Sequence, residues 1–335
     1  MKAILLDHVE QMGIRDVEIP VPKEDEVLIK VKAAGLCGSD FHIYHGTYPA
    51  VYPLIQGHEF SGVIEKTGEK AGRWKVGQRV TADPNIYCHH CYYCLKSQEN
   101  MCENAQASGV TRNGAFAEYV VVPASQLYEL PKQISFEEGA LIEPLACALY
   151  GVKRLQPEYG GKAVIFGAGP MGLLLLKALN IAGMSQVAVV DLDPVCLERA
   201  SAMGAAKTFS HIEEVKNAYP RGFDVVVDAT GNPKVIGQMF GAAAKRARIL
   251  QFGCADTDTV VPISPYQIYA NDWTYIGTCT AVHTYNEAID LISEGKIRVR
   301  DVISQVVSME TLAEYLANGK PAGTMKIVMR PDGAE

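Results

Sequence analysis

The sequence predicts an α/β chain of two domains: an antiparallel, barrel-like β domain and a doubly wound parallel sheet. Three observations carry this reading. The chain has 335 residues, more than one hydrophobic core ordinarily serves. Up to Glu143 it reads as short apolar segments punctuated by Gly and Pro, the pattern of antiparallel strands. Beyond Glu143, strand-like and helix-like segments alternate, which calls for parallel strands joined by crossover helices. Apolar content of 48% with 21% charged residues excludes a disordered chain.

Each element follows from local pattern. VLIKVKAAG (27–35) alternates apolar with polar or small residues, and FSGVIEKTG (60–68) and QRVTADP (78–84) do so more loosely. FAEYVVVPA (116–124) follows a glycine-containing turn. From Glu143, EPLACALYGVKRL has a helical period, with Pro144 in the first turn where its missing N–H is harmless. KAVIFGAG (162–169) reads as a buried strand, and MGLLLLKALNIAG as a helix ended by Gly183. QVAVVDLD (186–193), FDVVVDATG (223–231), ARILQFGC (247–254) and WTYIGTCT (273–280) supply further strands, with VCLERASAMGA as a helix between the first two. From about 281 the pattern gives one more helix, TYNEAIDLISEGK, then loosely alternating segments ending in MKIVMRP and a frayed PDGAE. The expected boundaries are 1–148 with 281–335 for the β domain, carrying a lobe at 85–104, and 149–280 for the parallel sheet.

Charge and composition narrow the function. The net charge is −7 and no Lys/Arg run exceeds two residues, which argues against nucleic acid as a partner. The N-terminal MKAILLDHVEQ is too short in apolar residues for a secretory signal. The longest apolar run, Ala163 to Gly183, is broken by Pro170 and Lys177, so no membrane association is expected. Nine cysteines, an odd number, without an export signal point to reduced thiols and a cytoplasmic location.

Gly167, Gly169 and Gly172, with Pro170 and Met171 between them, form G-x-G-x-x-G after a strand and at the start of a helix. Alone the pattern is weak. In this context each glycine has a mechanical reason, and the helix N-terminus would face a pyrophosphate. Asp191 stands nineteen residues past Gly172, at the end of the next strand. An acid there accepts from ribose hydroxyls and repels a 2′-phosphate, favouring NAD(H) over NADP(H). Asp193 lies farther out. Thr230, Gly253 and Thr278 close later strands and are candidate nicotinamide walls.

GLCGSDFH (35–42), GHEFSG (57–62) and IEPLAC (142–147) contribute Cys37, His58, Glu59 and Glu143. One thiolate, one imidazole and two carboxylates are ligands zinc accepts, and three protein ligands with an open position mark a catalytic site. Taken singly, each residue is more often structural: a small cysteine in a turn, a His-Glu surface pair. YCHHCYYCLKSQENMC (87–102) spaces Cys88, Cys91, Cys94 and Cys102 as C-x2-C-x2-C-x7-C, which suits a closed, structural zinc site. A redox reading needs a βαβ neighbourhood that the segment lacks.

GLCGSDFH, GHEFSG, the four-cysteine lobe, EPLAC and VIFGAGPMG occur in the order seen in the zinc-containing medium-chain dehydrogenase/reductase superfamily, which the chain resembles over essentially its whole length. It is most similar to the polyol, sugar-alcohol-phosphate and threonine dehydrogenase branch, because Glu143 stands where liver-type alcohol dehydrogenases have a cysteine. The resemblance implies a GroES-like catalytic barrel and a Rossmann nucleotide domain. It implies two Zn2+ per chain, one catalytic on Cys37, His58 and the two glutamates, one structural on the four-cysteine lobe. Which of Glu59 and Glu143 binds directly stays open. Ser39 and His42 match the family's proton relay.

The implied activity interconverts a secondary hydroxyl of a polyol, sugar acid or sugar phosphate and its ketone by hydride transfer. The implied assembly is a homo-oligomer, dimer or tetramer. One stretch departs from the pattern: polyol and threonine members often carry an arginine just after the last Rossmann strand, and GTCTAVHTY has none. Tyr44, Tyr48, Val110 and Thr111 are candidate pocket residues, and the aromatic loop from Tyr44 to Ile55 is a candidate substrate lip. The rivals are L-threonine 3-dehydrogenase-like oxidation of an amino alcohol, a zinc-free quinone oxidoreductase and a non-catalytic NAD-binding sensor of the same fold. The complete ligand set speaks against the last two.

Overall fold

The computed structural model describes residues 1–333; Ala334 and Glu335, the end of the segment expected to fray, lie outside the described residues. Contacts divide the chain into two units, Met1–Pro144 with Tyr285 onward, and Leu145–Thr284. The divisions fall four residues before and four after the expected 148 and 280, the first of them inside the helix Ile142–Leu155.

The first unit is built on a seven-stranded sheet. Its order is Leu127–Glu129, Arg79–Ala82, Glu59–Thr67, Glu26–Gly35, Lys326–Met329 and Ile303–Val307, with Tyr119–Pro123 also paired to Glu26–Gly35. The strand Glu26–Gly35 lies at its centre, and its residues Val27, Ile29 and Val31 are fully buried with Ile64, Val80 and Val120. Burying each such side chain stabilises by about 1.5–3 kcal/mol relative to leaving it exposed. The C-terminal strand returns to this sheet antiparallel, placing Val328 opposite Gly35. Met309–Asn318, in the region read as alternating, is instead a helix. Ser308 caps it by accepting from the Thr311 N–H, and Leu312 and Leu316, one turn apart, enter the core.

The second unit is a six-stranded, wholly parallel sheet in the order Lys207–Phe209, Gln186–Val190, Lys162–Phe166, Phe223–Asp228, Ala243–Gln251, Thr274–Gly277. The first strand in sequence lies inside the sheet and the order reverses beside it, which puts the switch point between Lys162–Phe166 and Phe223–Asp228. Ala163, Val164 and Ile165 are 0% exposed, as a strand covered on both faces requires. Among the described residues no helix is long and apolar enough to cross a membrane.

Candidate metal and nucleotide sites

The first unit brings Cys37, His58 and Glu59 together: one potential ligand atom from each lies within 4.8 Å of the others. Cys37 precedes the short helix Gly38–Tyr44, and its N–H is held by Asp40 Oδ2 at 2.9 Å. His58 and Glu59 are sequence neighbours, and a plain extended chain would point them apart. The strand begins only at Glu59, after Gly57 takes φ +94°, a conformation that favours glycine. Gly35 lies opposite Glu59 in register, and a Cβ there would meet Glu59 Oε2 at 2.2 Å. Glycine at 35 therefore leaves the room in which the carboxylate sits.

The electrostatics of this group favour a cation. Burial works against protonating His58, but the Asp40 carboxylate, helped by Cys37 and Glu143, outweighs it and holds the imidazole well above its ordinary value. Asp40 is itself fully buried, and desolvation raises its carboxyl despite His58. Its Oδ1 lies 3.6 Å from His58 Nδ1. That favours a proton on Nδ1 and leaves Nε2 as the ligand atom. Lys326 is the participant that sequence reading missed. It is 3% exposed, and its Nζ donates to Glu59 Oε1 at 2.6 Å and to the Leu36 carbonyl at 3.1 Å. Burial would lower it, yet Glu59 and Cys37 more than compensate and lift it to about 12. Glu59 Oε1 is thus engaged, while Oε2 is buried without a hydrogen-bond partner. A thiol, an imidazole nitrogen and an unsatisfied carboxylate oxygen at this spacing fit zinc.

Glu143 stands outside this compact group of three, although its charge acts on both His58 and Lys326. Ser39 Oγ lies 3.5 Å from His58 Nε2, and His42 Nδ1 lies 3.0 Å from Thr47 Oγ1. The two-turn helix that follows Cys37 therefore sets Ser39 beside His58, with His42 one turn further on against Thr47. The aromatic loop packs inward: Ile43, Tyr44 and Leu54 form a small cluster with Leu6, covered by Tyr48, Tyr52 and Val110. Thr111 is spent on a local turn, its hydroxyl accepting from the Ala107 N–H.

The four-cysteine lobe hangs from a two-stranded neck, Asn85–Ile86 against Gln106–Ala107. The sulfurs of Cys88, Cys91, Cys94 and Cys102 lie within 4.8 Å of one another, with Cys88 and Cys94 at 4.0 Å. A tetrahedron with zinc–sulfur bonds of about 2.3 Å has edges of about 3.8 Å, so this spacing fits zinc and is far too long for a disulfide. The N–H groups of Cys88 and Asn104 donate to Cys102 Sγ, each at 3.4 Å. Hydrogen bonds, the His90 N–H first, pull Cys88 down to about 5, whereas burial and neighbouring thiols push Cys94 up to about 12. Four thiols this close ionise together only around a cation. His89 and His90 are exposed. Of the remaining cysteines, Cys147 and Cys196 are half-buried and Cys254 and Cys279 are exposed.

In the second unit the three glycines have separable reasons. Gly167 takes φ +105° at the end of its strand. Gly169 caps the helix Pro170–Ile181 and faces open space, with nothing within 4 Å of a Cβ placed there. Gly172 packs so closely on the turn that a Cβ would meet the Gly167 carbonyl oxygen at 1.9 Å. Pro170 and Met171 begin the helix, where the missing proline N–H is no loss. Asp191 is fixed onto this turn: Oδ2 accepts from the Ala168 N–H at 2.6 Å and Oδ1 from the Asp193 N–H at 2.9 Å. Asp193 caps the next helix instead, accepting from the Val195 N–H. Asp228, fully buried, ties two strand ends together. Thr230 donates to it from N–H and hydroxyl, as do the Gly231 N–H and Gln251 Nε2. Gly253 lies against Gly231, where a Cβ would meet the Gly231 nitrogen at 2.1 Å. The hydroxyl oxygens of Thr278 and Thr280 are buried without a hydrogen-bond partner, a polar surface in need of one.

One buried acid in the first unit lies outside all these expectations. Asp83 accepts from the N–H and Nδ2 of Asn85, beside the stacked rings of Tyr128 and Tyr285. Burial, with a contribution from Glu143, raises it to about 7. The folded state therefore binds this proton more tightly than the unfolded chain, whose aspartates titrate near 3.9. Its contribution favours folding least at high pH: stability declines as pH rises from about 4 through 7, by up to about 4 kcal/mol. Asp83→Asn keeps an acceptor without the charge. Urea unfolding is expected to find the variant more stable than the parent at pH 8 by about 2 kcal/mol, with the advantage gone at pH 4; an advantage independent of pH would contradict the assignment.

A barrel whose Cys-His-Glu group fits a metal and a parallel sheet whose glycine turn fits a nucleotide are the two parts that a nucleotide-linked oxidoreductase combines. Comparison with known proteins places the chain within that class. Residues 23–132 match the alcohol dehydrogenase GroES-like domain and residues 170–294 the zinc-binding dehydrogenase domain. The chain is 31% identical to D-arabinitol dehydrogenase 1 of Uromyces fabae, over 99% of this chain and 97% of that protein. It is 30% identical to sorbitol dehydrogenase of Bacillus subtilis, over 92% and 91%. A structure described as a zinc-binding dehydrogenase from Sinorhizobium meliloti 1021 bound to NADP superposes with TM-score 0.96 at 32% identity, covering 98% of this chain and 99% of that one. The chain belongs to the zinc-containing medium-chain dehydrogenase/reductase superfamily, in the branch that holds the polyol dehydrogenases, and is a dehydrogenase with a GroES-like barrel and a Rossmann sheet.

Proposed function

We propose that this dehydrogenase uses zinc and NAD(H) to interconvert a secondary hydroxyl of a polyol, sugar acid or sugar phosphate and the corresponding ketone. The observation that carries the reading is the Cys37–His58–Glu59 group, in which Lys326 engages one oxygen of Glu59 and leaves the other unsatisfied. Cys37, His58 and one of Glu59 and Glu143 would hold the catalytic ion. A second ion in the four-cysteine lobe makes two per chain. Bound zinc supplies Lewis acidity, which lowers the pKa of a coordinated hydroxyl.

The chain's own residues do the rest. Ser39 accepts the hydroxyl proton, and half-buried His42 passes it toward solvent. Bound NAD+ would supply the hydride acceptor that the oxidation of the carbinol to a ketone requires. The turn at Gly167–Gly172 and the helix N-terminus behind it receive the pyrophosphate. Asp191 keeps acceptor capacity beyond its two backbone bonds for the ribose hydroxyls, and its charge disfavours a 2′-phosphate. Thr230, Gly253 and Thr278 form the nicotinamide wall. The sugar-alcohol preference rests on the names of the relatives and on Glu143. Nine free cysteines suit a reducing, cytoplasmic compartment.

The test is a screen of zinc-loaded protein against polyols, aldonates and sugar phosphates, with threonine and ethanol as controls, followed by near-ultraviolet absorbance of the reduced nucleotide. Expected is oxidation of a polyhydroxylated substrate with kcat/KM at least tenfold higher for NAD+ than for NADP+. Threonine as the best substrate would support the amino-alcohol reading. No oxidation of any alcohol at full zinc loading would support a sensor.

A further inference from the structure

We propose that Gln56 is a positioning residue for the metal group: its side chain braces Asp40 and thereby sets how tightly Cys37 and His58 hold their ion. The inference rests on the reading that this group binds zinc. Gln56 is 1% exposed and follows Leu54 and Ile55, both buried. Its Nε2 donates to the Asp40 carbonyl oxygen at 2.8 Å, inside the protein. A carbonyl only accepts, so the amide nitrogen is the end that faces it. This bond ties the segment that carries His58 and Glu59 to the helix Gly38–Tyr44 that follows Cys37.

Asp40 is where such a tie has most effect. Its Oδ2 accepts from the Cys37 N–H at 2.9 Å, and its Oδ1 lies 3.6 Å from His58 Nδ1. A shift of Asp40 therefore reaches two ligands at once. Gln56 is in turn fixed from behind. Its own carbonyl oxygen accepts from the Phe116 N–H at 2.9 Å, and the carbonyls of Ile55 and Gly57 accept from the N–H groups of Gly114 and Ala115 at 2.6 and 2.8 Å. A side chain anchored on such a base holds the helix in place rather than following it.

Packing alone does not explain an amide here. Glutamine is mostly a surface residue, and Oε1 of Gln56 is buried without a hydrogen-bond partner, which costs stability. Methionine or leucine would fill similar space without that cost. Nor does the helix need the bond: within a helix that runs to Tyr44, the Asp40 carbonyl already serves the N–H four residues on. What remains is the link between the two ligand-bearing segments. Removing a group that orients metal ligands from behind typically weakens metal binding by roughly 10–100-fold.

The experiment is chelator competition for zinc on the zinc-loaded protein and on Gln56→Met, which removes the amide at nearly constant volume. Cys37→Ser, lacking one ligand of the first ion, shows which release belongs to which site. Expected is zinc held about tenfold or more weakly at the Cys37 group of Gln56→Met, with the lobe ion and NADH held as in the parent. Circular dichroism checks that the variant folds; if it does not, Gln56→Glu, which keeps the shape and loses the amide donor, decides. Unchanged affinity at the Cys37 group, or equal weakening of both ions as a looser fold would give, would overturn the proposal. A parent protein that holds no zinc on Cys37 would overturn the zinc reading, and the inference with it.

Discussion

Cys37→Ser is expected to lower turnover by roughly three orders of magnitude while NADH affinity changes by less than about twofold. The first figure follows from the Lewis acidity that a catalytic metal contributes, worth several kcal/mol, at 1.36 kcal/mol per decade of rate. Serine is nearly isosteric but is a poor zinc ligand, because the soft thiolate is replaced by a hydroxyl that stays protonated at neutral pH. The second figure follows from where the residues lie. Cys37, His58 and Glu59 belong to the first unit, and Gly167, Gly169, Gly172 and Asp191 to the second. Metal analysis and NADH fluorescence on the same sample separate the two effects. Loss of NADH binding together with turnover would contradict this division of labour.

Cys94→Ser is expected to do the opposite, destabilising the protein while sparing the chemistry. Cys94 is 8% exposed and packs with Cys91, Cys102, Tyr87 and Tyr93. Apart from its two-stranded neck, the lobe holds itself with two one-turn helices at Cys94–Lys96 and Glu99–Met101, too little regular structure to persist alone. Its order would therefore rest on the ion proposed for the four sulfurs. Structural zinc sites contribute directly to folding free energy, and losing one of four ligands is expected to remove about 3 kcal/mol, roughly 6 °C in Tm. Specific activity per molecule with its catalytic zinc in place should fall by less than about threefold. A variant with unchanged Tm but lost turnover would make the lobe part of the active site.

These two cysteines also mark what a sequence makes legible. The lobe is visible because its four ligands fall within fifteen residues, Cys88 to Cys102, so spacing alone carries the geometry. The glycine turn is visible for the same reason: three local residues, each answering to a different contact. The Cys37 group is harder to read, since the neighbours His58 and Glu59 both reach it only where Gly57 takes φ +94° before the strand begins. The partner that distinguishes the oxygens of Glu59 is Lys326, 267 residues away, and no local pattern announces it. Asp40, which orients His58, was within the quoted GLCGSDFH but reads as an ordinary helix-start acid. Helix Met309–Asn318 was concealed by short apolar repeats, although Ser308 before it and Gly319 after it are ordinary cap residues. For the aromatic loop after Tyr44, composition does not distinguish rings that face a ligand from rings that pack, as Tyr48 and Tyr52 do against the cluster of Leu6 and Leu54.

The central claim is that hydride transfer from a polyol hydroxyl depends on a metal held by Cys37 and His58. The most direct measurement is the rate of NAD+ reduction by the best polyol of the screen, before removal of the zinc proposed on Cys37 and His58, after removal, and after reloading. The account predicts that activity disappears with that ion and returns in proportion to the zinc restored, with NADH affinity constant throughout. Undiminished NAD+ reduction in protein whose Cys37–His58 group holds no metal would contradict it.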